Sequence, residues 1–495
     1  MRKNGYILSI DQGTTSSRAA LVSQDGNIIC QKNKEFKQYF PNSGWVEHNP
    51  KDIISSTVEC IESVIQKGEI GLNEIITAGI TNQRETVVAW NKKTGEPIYN
   101  AIVWQDRRTE DICQSLRNQN YQDLIQLKTG LIIDPYFSAS KIKWILDNVD
   151  EAKSLLASNE LLVGTIDTWL IWNLTNKQSH FTDATNASRT MIYNINDDQW
   201  DEELLDIFSI PKEILPIVNN SMDDFGLIGK DFFGYEIPIN GVAGDQQAAA
   251  FGQLCFEKGM VKSTYGTGCF MLMNTGEEVN QSKNKLLSTT AFKSKDKKMY
   301  ALEGSIFNAG TVVQWMRDEL SFYKDAKDVE RLASQSKNIV TFIPAFTGLG
   351  APYWKSDVRG SIHGITRNTS QSDIALAALK SVCFQSKDLF LCLQKDMLNT
   401  ADNYVLRVDG GMSQNNLMMQ YLSDLLQVSV ERPVIQETTV MGAAFLAGLQ
   451  FGIYKSIDEL KDLWKTDRVF EPLLRKEQAD EEYNQWLKII YKETS

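Results

Sequence analysis

The sequence predicts an α/β protein built as two similar domains facing a shared cleft, and three observations carry that prediction. Strand-like apolar runs alternate with stretches of helical spacing along the chain. Two hairpins of one design, tipped by Gly13-Thr14-Thr15 and by Gly266-Thr267-Gly268, open the two halves, which suggests an internal duplication. At 495 residues the chain is also too long for a single core.

From the N-terminus, Tyr6 to Ile10 reads as a strand, Asp11 to Ser17 as a turn, and Arg18 to Ser23 as a second strand, with Asp25-Gly26 leading to a third. Gly13 allows close backbone approach to a ligand, and the hydroxyls of Thr14, Thr15 and Ser16 add to the N–H groups of a phosphate cradle. Asp11 would face a metal there, the plainer alternative being an ordinary hairpin loop. Ile75 to Thr81 and Thr86 to Trp90 read as strands, and Arg84-Glu85 lies between them, where sheets of this class contact ligands. A surface ion pair is the alternative. Trp104 and Tyr136 are candidates to wall a small pocket, against ordinary core packing. Lys141 to Leu146 reads as a helix and Gly164 to Trp172 as a mixed apolar run.

At mid-chain, Gly241-Val-Ala-Gly-Asp-Gln-Gln-Ala-Ala-Ala-Phe-Gly252 sets one acid at the start of a helix-forming run. The orphan N–H groups there favour an ionised Asp245, able to take a proton from a hydroxyl or hold Mg²⁺ through water. A capping acid is the bland alternative. The second hairpin follows over Val261 to Met273. Tyr300 to Leu320 places Gly310 at a helix start and Gln314 one turn in. Tyr404 to Val408 is a strand, Asp409-Gly-Gly411 a turn with room for a flat ligand, and Ser413 the cap of a helix carrying Leu417, Met418, Tyr421, Leu422, Leu425 and Leu426. From Ser456 onward the chain reads as surface helices without chemistry.

The formal charge of -12, with no long run of Lys or Arg, argues against a nucleic-acid or anionic-membrane partner and for a small molecule. Seven Cys without a Cys-x-x-Cys pair, and only three His, suggest neither a disulfide framework nor a structural zinc site, which points to a reducing cytoplasm. No window reads as a signal sequence or a membrane span. Neither a Walker A loop nor a Gly-x-Gly-x-x-Gly after a strand is found.

The segments Ile10 to Arg18, Gly44 to His48, Thr81 to Thr86, Gly164 to Thr175, Gly244 to Gln247, Tyr265 to Phe270 and Asp409 to Asn415 closely resemble, in order and over nearly the whole chain, the glycerol-phosphorylating members of the FGGY carbohydrate kinases. The resemblance implies a duplicated ribonuclease-H-like (actin-like ATPase) fold, shared with actin, hexokinase and heat-shock chaperone ATPases, around a deep interdomain cleft. It implies an N-terminal domain over residues 1–253 with the glycerol site and first phosphate loop, and a C-terminal domain over 254–495 with most of the adenine-nucleotide site. The implied reaction is ATP-dependent conversion of glycerol to sn-glycerol 3-phosphate plus ADP, the first step of glycerol utilisation. Arg84, Glu85, Tyr136, Asp245 and Gln246 match positions that hold glycerol hydroxyls, and Trp104 and Phe270 those that pack its carbon face. Thr14, Thr15, Ser16, Arg18, Thr267, Gly310, Gln314, Gly411 and Asn415 match nucleotide positions. Asp245 matches the catalytic base, and Asp11 with Asp245 the Mg²⁺ contacts. Family members form homodimers or homotetramers.

Lys141 to Asn148 matches the first family signature in full. In the second, Gly360 to Lys380, Lys380 replaces an acidic or amide residue, and a local surface change is expected. The loop Gly229 to Glu236 lacks the Arg through which some relatives are inhibited by fructose 1,6-bisphosphate, and Asp231 stands where others carry a phosphorylated His, so neither control is expected. Two readings compete with glycerol phosphorylation. One is a family kinase for a ketose or another polyol, disfavoured by Gln83-Arg84-Glu85. The other is a nucleotide-driven conformational module, disfavoured by the Arg84, Glu85, Trp104, Tyr136 and Asp245 cluster.

Overall fold

In the computed structural model, which describes residues 5–355, 357–397 and 404–494, two main sheets share one topology. In the first, β1 (Tyr6–Gln12), β2 (Ser16–Ser23) and β3 (Ile28–Glu35) form an antiparallel meander. β4 (Ile75–Asn82) then pairs parallel to β1, and β5 (Ile237–Gly244) parallel to β4. In the second sheet, β6 (Val261–Tyr265), β7 (Cys269–Gly276), β8 (Leu287–Lys293) and β9 (Lys298–Ile306) are antiparallel in the order β8-β9-β7-β6. β10 (Val405–Asp409) and β11 (Ser429–Pro433) extend it in parallel from β6. Three antiparallel strands followed by two parallel strands thus occur twice, with β8 added at the edge of the second sheet, which is the duplication the paired hairpins predict. The fold is two-domain α/β.

Burial follows position in the sheet. All of β4 is buried, because parallel neighbours and helices cover it, whereas outer β3 alternates half-buried with exposed residues. Helix α1 (Pro50–Gly68) packs on β2 and β3. Pro50 sits in its first turn, Asn49 accepts a hydrogen bond from the Lys51 amide, and Ile53, Thr57, Cys60, Ile61 and Val64 form one buried stripe. Between β3 and β5 an antiparallel five-stranded sheet is inserted, in the order Gln38–Tyr39, Glu47–His48, Ala101–Ile102, Val87–Asn91, Leu161–Thr165.

The halves are locked together by two small-residue helices. α2 (Asp245–Gly252) leaves the end of β5 with no intervening loop. Farther along come α3 (Gly310–Asp318), α4 (Gln371–Asp396), α5 (Asn416–Leu426) and α6 (Thr438–Phe451). α6 belongs to the second half of the sequence yet packs against α2 and against β1, β4 and β5. Such close packing needs missing side chains: a Cβ on Gly442 would collide with the Ala248 carbonyl, one on Gly252 with the Thr438 carbonyl, and one on Gly79 with the Ala443 carbonyl.

Three expectations are corrected. The tail is more than surface helices: β12 (Thr466–Phe470) completes the second sheet against β11, and α7 (Lys476–Thr494) buries Ala479, Tyr483, Trp486 and Ile490. The cap of α5 is Asn415, whose side chain accepts from the Met418 amide at 2.9 Å, while Ser413 lies inside a short 3-10 turn with its hydroxyl on the Gly410 carbonyl. Lys380 also does more than alter a surface, since it pairs with Glu482 of α7 at 2.7 Å and lies 4.3 Å from the Tyr421 ring centre. No helix among the described residues is long and apolar enough to cross a membrane. Gly442→Ala should destabilise the fold by about 1–3 kcal/mol or more, because its neighbour is backbone that cannot swing aside. Urea denaturation midpoints of the two proteins check this.

Candidate active site

Beyond β4 the chain enters a fully buried turn, Gln83-Arg84-Glu85-Thr86. Gln83 anchors it to the first hairpin, its side chain donating to Gln12 Oε1 at 3.0 Å and to the Gly13 carbonyl at 3.1 Å. Glu85 has a φ of 62°, a left-handed conformation unfavourable for a residue with a Cβ and held by its surroundings. Ser138 donates to its carbonyl at 3.0 Å, and Arg189 Nε to its carboxylate at 2.6 Å.

Arg84 reaches across to the second half of the chain. Its Nη1 and Nη2 donate to Glu303 at 2.6 and 3.0 Å in a two-pronged pair, Nη1 also to Gln247 Oε1 at 3.1 Å, and Nε lies 3.3 Å from Asp245 Oδ1. Arg189 Nη2 lies 3.1 Å from Glu303 as well. Burial alone would raise the Glu303 pKa, but the Arg189 and Arg84 guanidiniums hold it down at about 2. The surface ion pair is therefore excluded: both Arg84 and Glu85 are buried members of a network spanning both halves.

Asp245 is the first residue of α2, and its carboxylate accepts from the Gln246 amide at 2.7 Å. Its side chain keeps 29% exposure. The helix start does not by itself settle its charge, because burial pushes its pKa above the ordinary value against the pull of Arg84 and Lys262. Lys262, on β6, is wholly buried and donates to Gln246 Oε1 and, at 3.3 Å, to the Phe270 carbonyl. Asp11, at the end of β1, is raised to about 6 by burial, eased by Arg18 and reinforced by the nearby Asp245 charge.

Three aromatic rings face these groups. Trp104 lies 5.5 Å from Tyr136 and 6.3 Å from Phe270, edge to face in both cases, and the Arg84 guanidinium stands 5.9 Å from the Phe270 ring centre. The Trp104 indole donates to Thr14 Oγ1 at 2.9 Å, joining this wall to the first hairpin. Lys141 fixes the turn that carries Tyr136, with its ammonium on the carbonyls of Pro135, Tyr136 and Phe137.

The second cluster gathers at the other hairpin. Gly310 donates its amide to the Gly266 carbonyl at 2.9 Å, and a Cβ there would stand 2.5 Å from that oxygen. The Thr267 carbonyl accepts from the amides of Ala309 and Thr311. Gly410, at φ 85°, presses on the Tyr265 backbone, whereas a Cβ on Gly411 would meet nothing within 4 Å, so no protein contact demands that glycine. The buried amide nitrogen of Asn415 finds no partner among the described residues. Gln314 and Thr267 are exposed, as is Thr15, while Ser16 is half-buried. Arg18 is engaged in an ion pair with Glu437, just ahead of α6.

Glu303, Arg189, Gln247 and Lys262 were missed by sequence reasoning. The available signal was a charged residue inside a strand whose neighbours are apolar, as in Tyr300-Ala-Leu-Glu303 and Val261-Lys262.

A duplicated α/β fold with a buried charge cluster beside one hairpin and an open glycine turn beside the other is the architecture of a two-domain kinase of the actin-like ATPase class. The chain belongs to the FGGY family of carbohydrate kinases: the family's N-terminal domain matches residues 6–252 and its C-terminal domain residues 261–451. It is similar to a glycerol kinase from a Marinomonas species, 54% identical over 487 residues and covering 98% of each chain. A glycerol kinase from Listeria monocytogenes is 52% identical over 488 residues, again covering 98% of each. Among solved structures it resembles Plasmodium falciparum glycerol kinase with ADP, at TM-score 0.91 and 38% identity, covering 99% of this chain and 98% of that one.

Removing the charge of Glu303 would leave two buried guanidiniums undercompensated. Glu303→Gln should cost about 3–5 kcal/mol of stability, read as a lowered denaturant midpoint.

Proposed function

We propose that this chain transfers the γ-phosphoryl group of ATP to a terminal hydroxyl of glycerol, giving sn-glycerol 3-phosphate and ADP. The observation that carries the reading is the convergence of Arg84, Glu85, Asp245 and the Trp104, Tyr136 and Phe270 wall beside the first hairpin. The names of its relatives support it. In this reading residues 1–253 supply the glycerol site and first phosphate loop, and residues 254–495 most of the adenine-nucleotide site.

Glycerol offers a hydroxyl on every carbon. Glu85 Oε1 is taken by Arg189, which leaves Oε2 to accept from a substrate hydroxyl; Arg84, Tyr136 and Gln246 complete the pairing. The aromatic wall covers the carbon face. A substrate lacking one hydroxyl would leave these buried groups unpaired, and that is the basis of selection.

Asp245 accepts the proton of the attacking hydroxyl as its oxygen bonds to the γ-phosphorus and the bond from that phosphorus to the β,γ-bridging oxygen breaks, releasing ADP. Thr14, Thr15 and Ser16 with Arg18 on one side, and Thr267 on the other, cradle the phosphates. The base lies under Gly310, Gln314, Gly411 and Asn415, whose free amide supports that placement. Asp11 and Asp245 are neighbouring hard oxygen donors beside the hydroxyl-bearing hairpin, a set that fits Mg²⁺ bound through water. When bound, Mg²⁺ neutralises the charge that develops on the phosphates. Closure of the cleft over both substrates would exclude water. Assembly as a homodimer or homotetramer and a cytoplasmic setting belong to the same reading.

The test is ADP release from Mg-ATP with glycerol, dihydroxyacetone, xylulose, ribulose or gluconate supplied singly. Turnover should require glycerol and fall roughly a hundred- to ten-thousand-fold in Asp245→Asn. Turnover with a ketose and not with glycerol would select another acceptor of the same family. ATP use that no acceptor stimulates would point to a nucleotide-driven module.

The pH profile gives a second test. A base must be ionised to work, so activity is lost as pH falls through the pKa of Asp245, which burial raises. The acid limb of kcat/KM should therefore lie above the ordinary carboxylate value, and a limb at or below about 4 would exclude Asp245 as the titrating base.

A further inference from the structure

We infer that Asp183, working through Thr185 and Asn186, is a positioning residue that sets the base Asp245 and the acceptor-binding pair Arg84-Glu85 in mutual register. The inference rests on the functional reading above and adds to it residues that touch neither substrate.

Asp183 closes the strand Phe181–Asp183 and caps the one-turn helix Ala184–Ala187. It is fully buried, and both carboxylate oxygens are saturated by donors. Oδ1 accepts from the Thr185 hydroxyl at 2.8 Å and from the Asn186 amide and side-chain nitrogen, each at 2.9 Å. Oδ2 accepts from the Thr185 amide at 2.9 Å and the Ser221 hydroxyl at 2.7 Å.

Two links lead from this carboxylate to the active site. Because the Thr185 proton is committed to Asp183, its oxygen must present a lone pair outward, and the Gly244 N–H donates to it at 2.9 Å. Gly244 immediately precedes Asp245. Asn186, oriented by the same carboxylate, exchanges two hydrogen bonds with Asn82, at 3.0 and 3.1 Å, and Asn82 stands two residues before Arg84. The segment then continues to Arg189, which holds Glu85. Four charged groups of the site are thus referenced to one short segment, and the direction of every hydrogen bond is fixed by an acceptor-only carboxylate at its root. An acid serves here because an amide would turn a donor toward donors.

The test uses Thr185→Val, which keeps the shape and deletes the acceptor for Gly244, with Thr185→Ser as the conservative partner and Asp183→Asn as the root variant. Glycerol phosphorylation is measured as kcat and KM per folded molecule, and amide exchange is followed at Gly244. The expected result is a kcat lower by roughly ten- to a hundred-fold in Thr185→Val and Asp183→Asn, with KM for Mg-ATP within about twofold and Thr185→Ser close to the parent. Gly244 should exchange faster in the valine variant. A Thr185→Val protein that is less stable but keeps the parental kcat would overturn the inference alone. So would a Gly244 amide that exchanges freely in the parent, a reading that needs no active variant. A parent inert toward glycerol would overturn the functional reading first, and the inference with it.

Discussion

The buried pair between Arg84 and Glu303 is the constraint on which the molecule turns. Its members are 219 residues apart, one after the fourth strand of the first sheet and one within the second sheet. Taking both charges out of water costs several kcal/mol each, which their attraction offsets only when geometry is tight and every remaining donor is met. Around the pair the structure gathers Arg189, Glu85, Asp245 and Lys262, so that three cations and three acids share one cluster, in which Nη1 and Nη2 of Arg189 find no hydrogen-bond partner among the described residues. The two halves cannot shift far without exposing an unpaired charge. The pair therefore sets their spacing at the turn that carries Arg84 and Glu85.

A second constraint is steric and concerns backbone rather than side chains. α2 and α6 approach so closely at Gly252 and Gly442 that carbonyl oxygens occupy the space of absent Cβ atoms. Because α2 begins with Asp245, the position of that carboxylate depends on where α6 lies, and α6 in turn rests on β1, β4 and β5 through Gly79 and Gly241. The glycines of this junction are thus contact surfaces. Hydrophobic packing closes the same seam, with Phe251, Phe256 and Phe292 stacked edge to face beside Val440 and Phe445.

Much of the fold was legible because its signals are local. The glycine-threonine tips, the acid at the strand-to-helix junction and the Arg84-Glu85 pair each stand out within a few residues of sequence. What was not legible depends on partners far away. Glu303 and Lys262 look like isolated charges in apolar strands, and only the fold shows that they complete a network. Arg189 lies 104 residues from the glutamate it holds. The cap of α5 was misplaced because both Ser413 and Asn415 suit the role, and the choice between them depends on the 3-10 turn that precedes the helix. β12 was missed since its residues are exposed except Phe470 and carry no alternating pattern.

At corresponding places the repeats carry different chemistry. The strand before the first hairpin presents Asp11 and the one before the second Thr264; beyond the first parallel strand stand Arg84 and Glu85, beyond its counterpart Gly410 and Gly411. The helices that follow the last parallel strands begin with Asp245 and with Thr438, whose hydroxyl donates to buried Asp409. At these places the first repeat carries charged side chains and the second carries Thr or Gly, while Glu303 and Lys262 from strands of the second complete the charge cluster. Charge is what a hydroxyl nucleophile and a transferring phosphoryl group require, since catalysis there is mainly alignment and electrostatics. Open backbone is what a flat, uncharged base requires. Each repeat has a glycine-threonine hairpin, but the charged turn belongs to the first and the open glycine turn to the second.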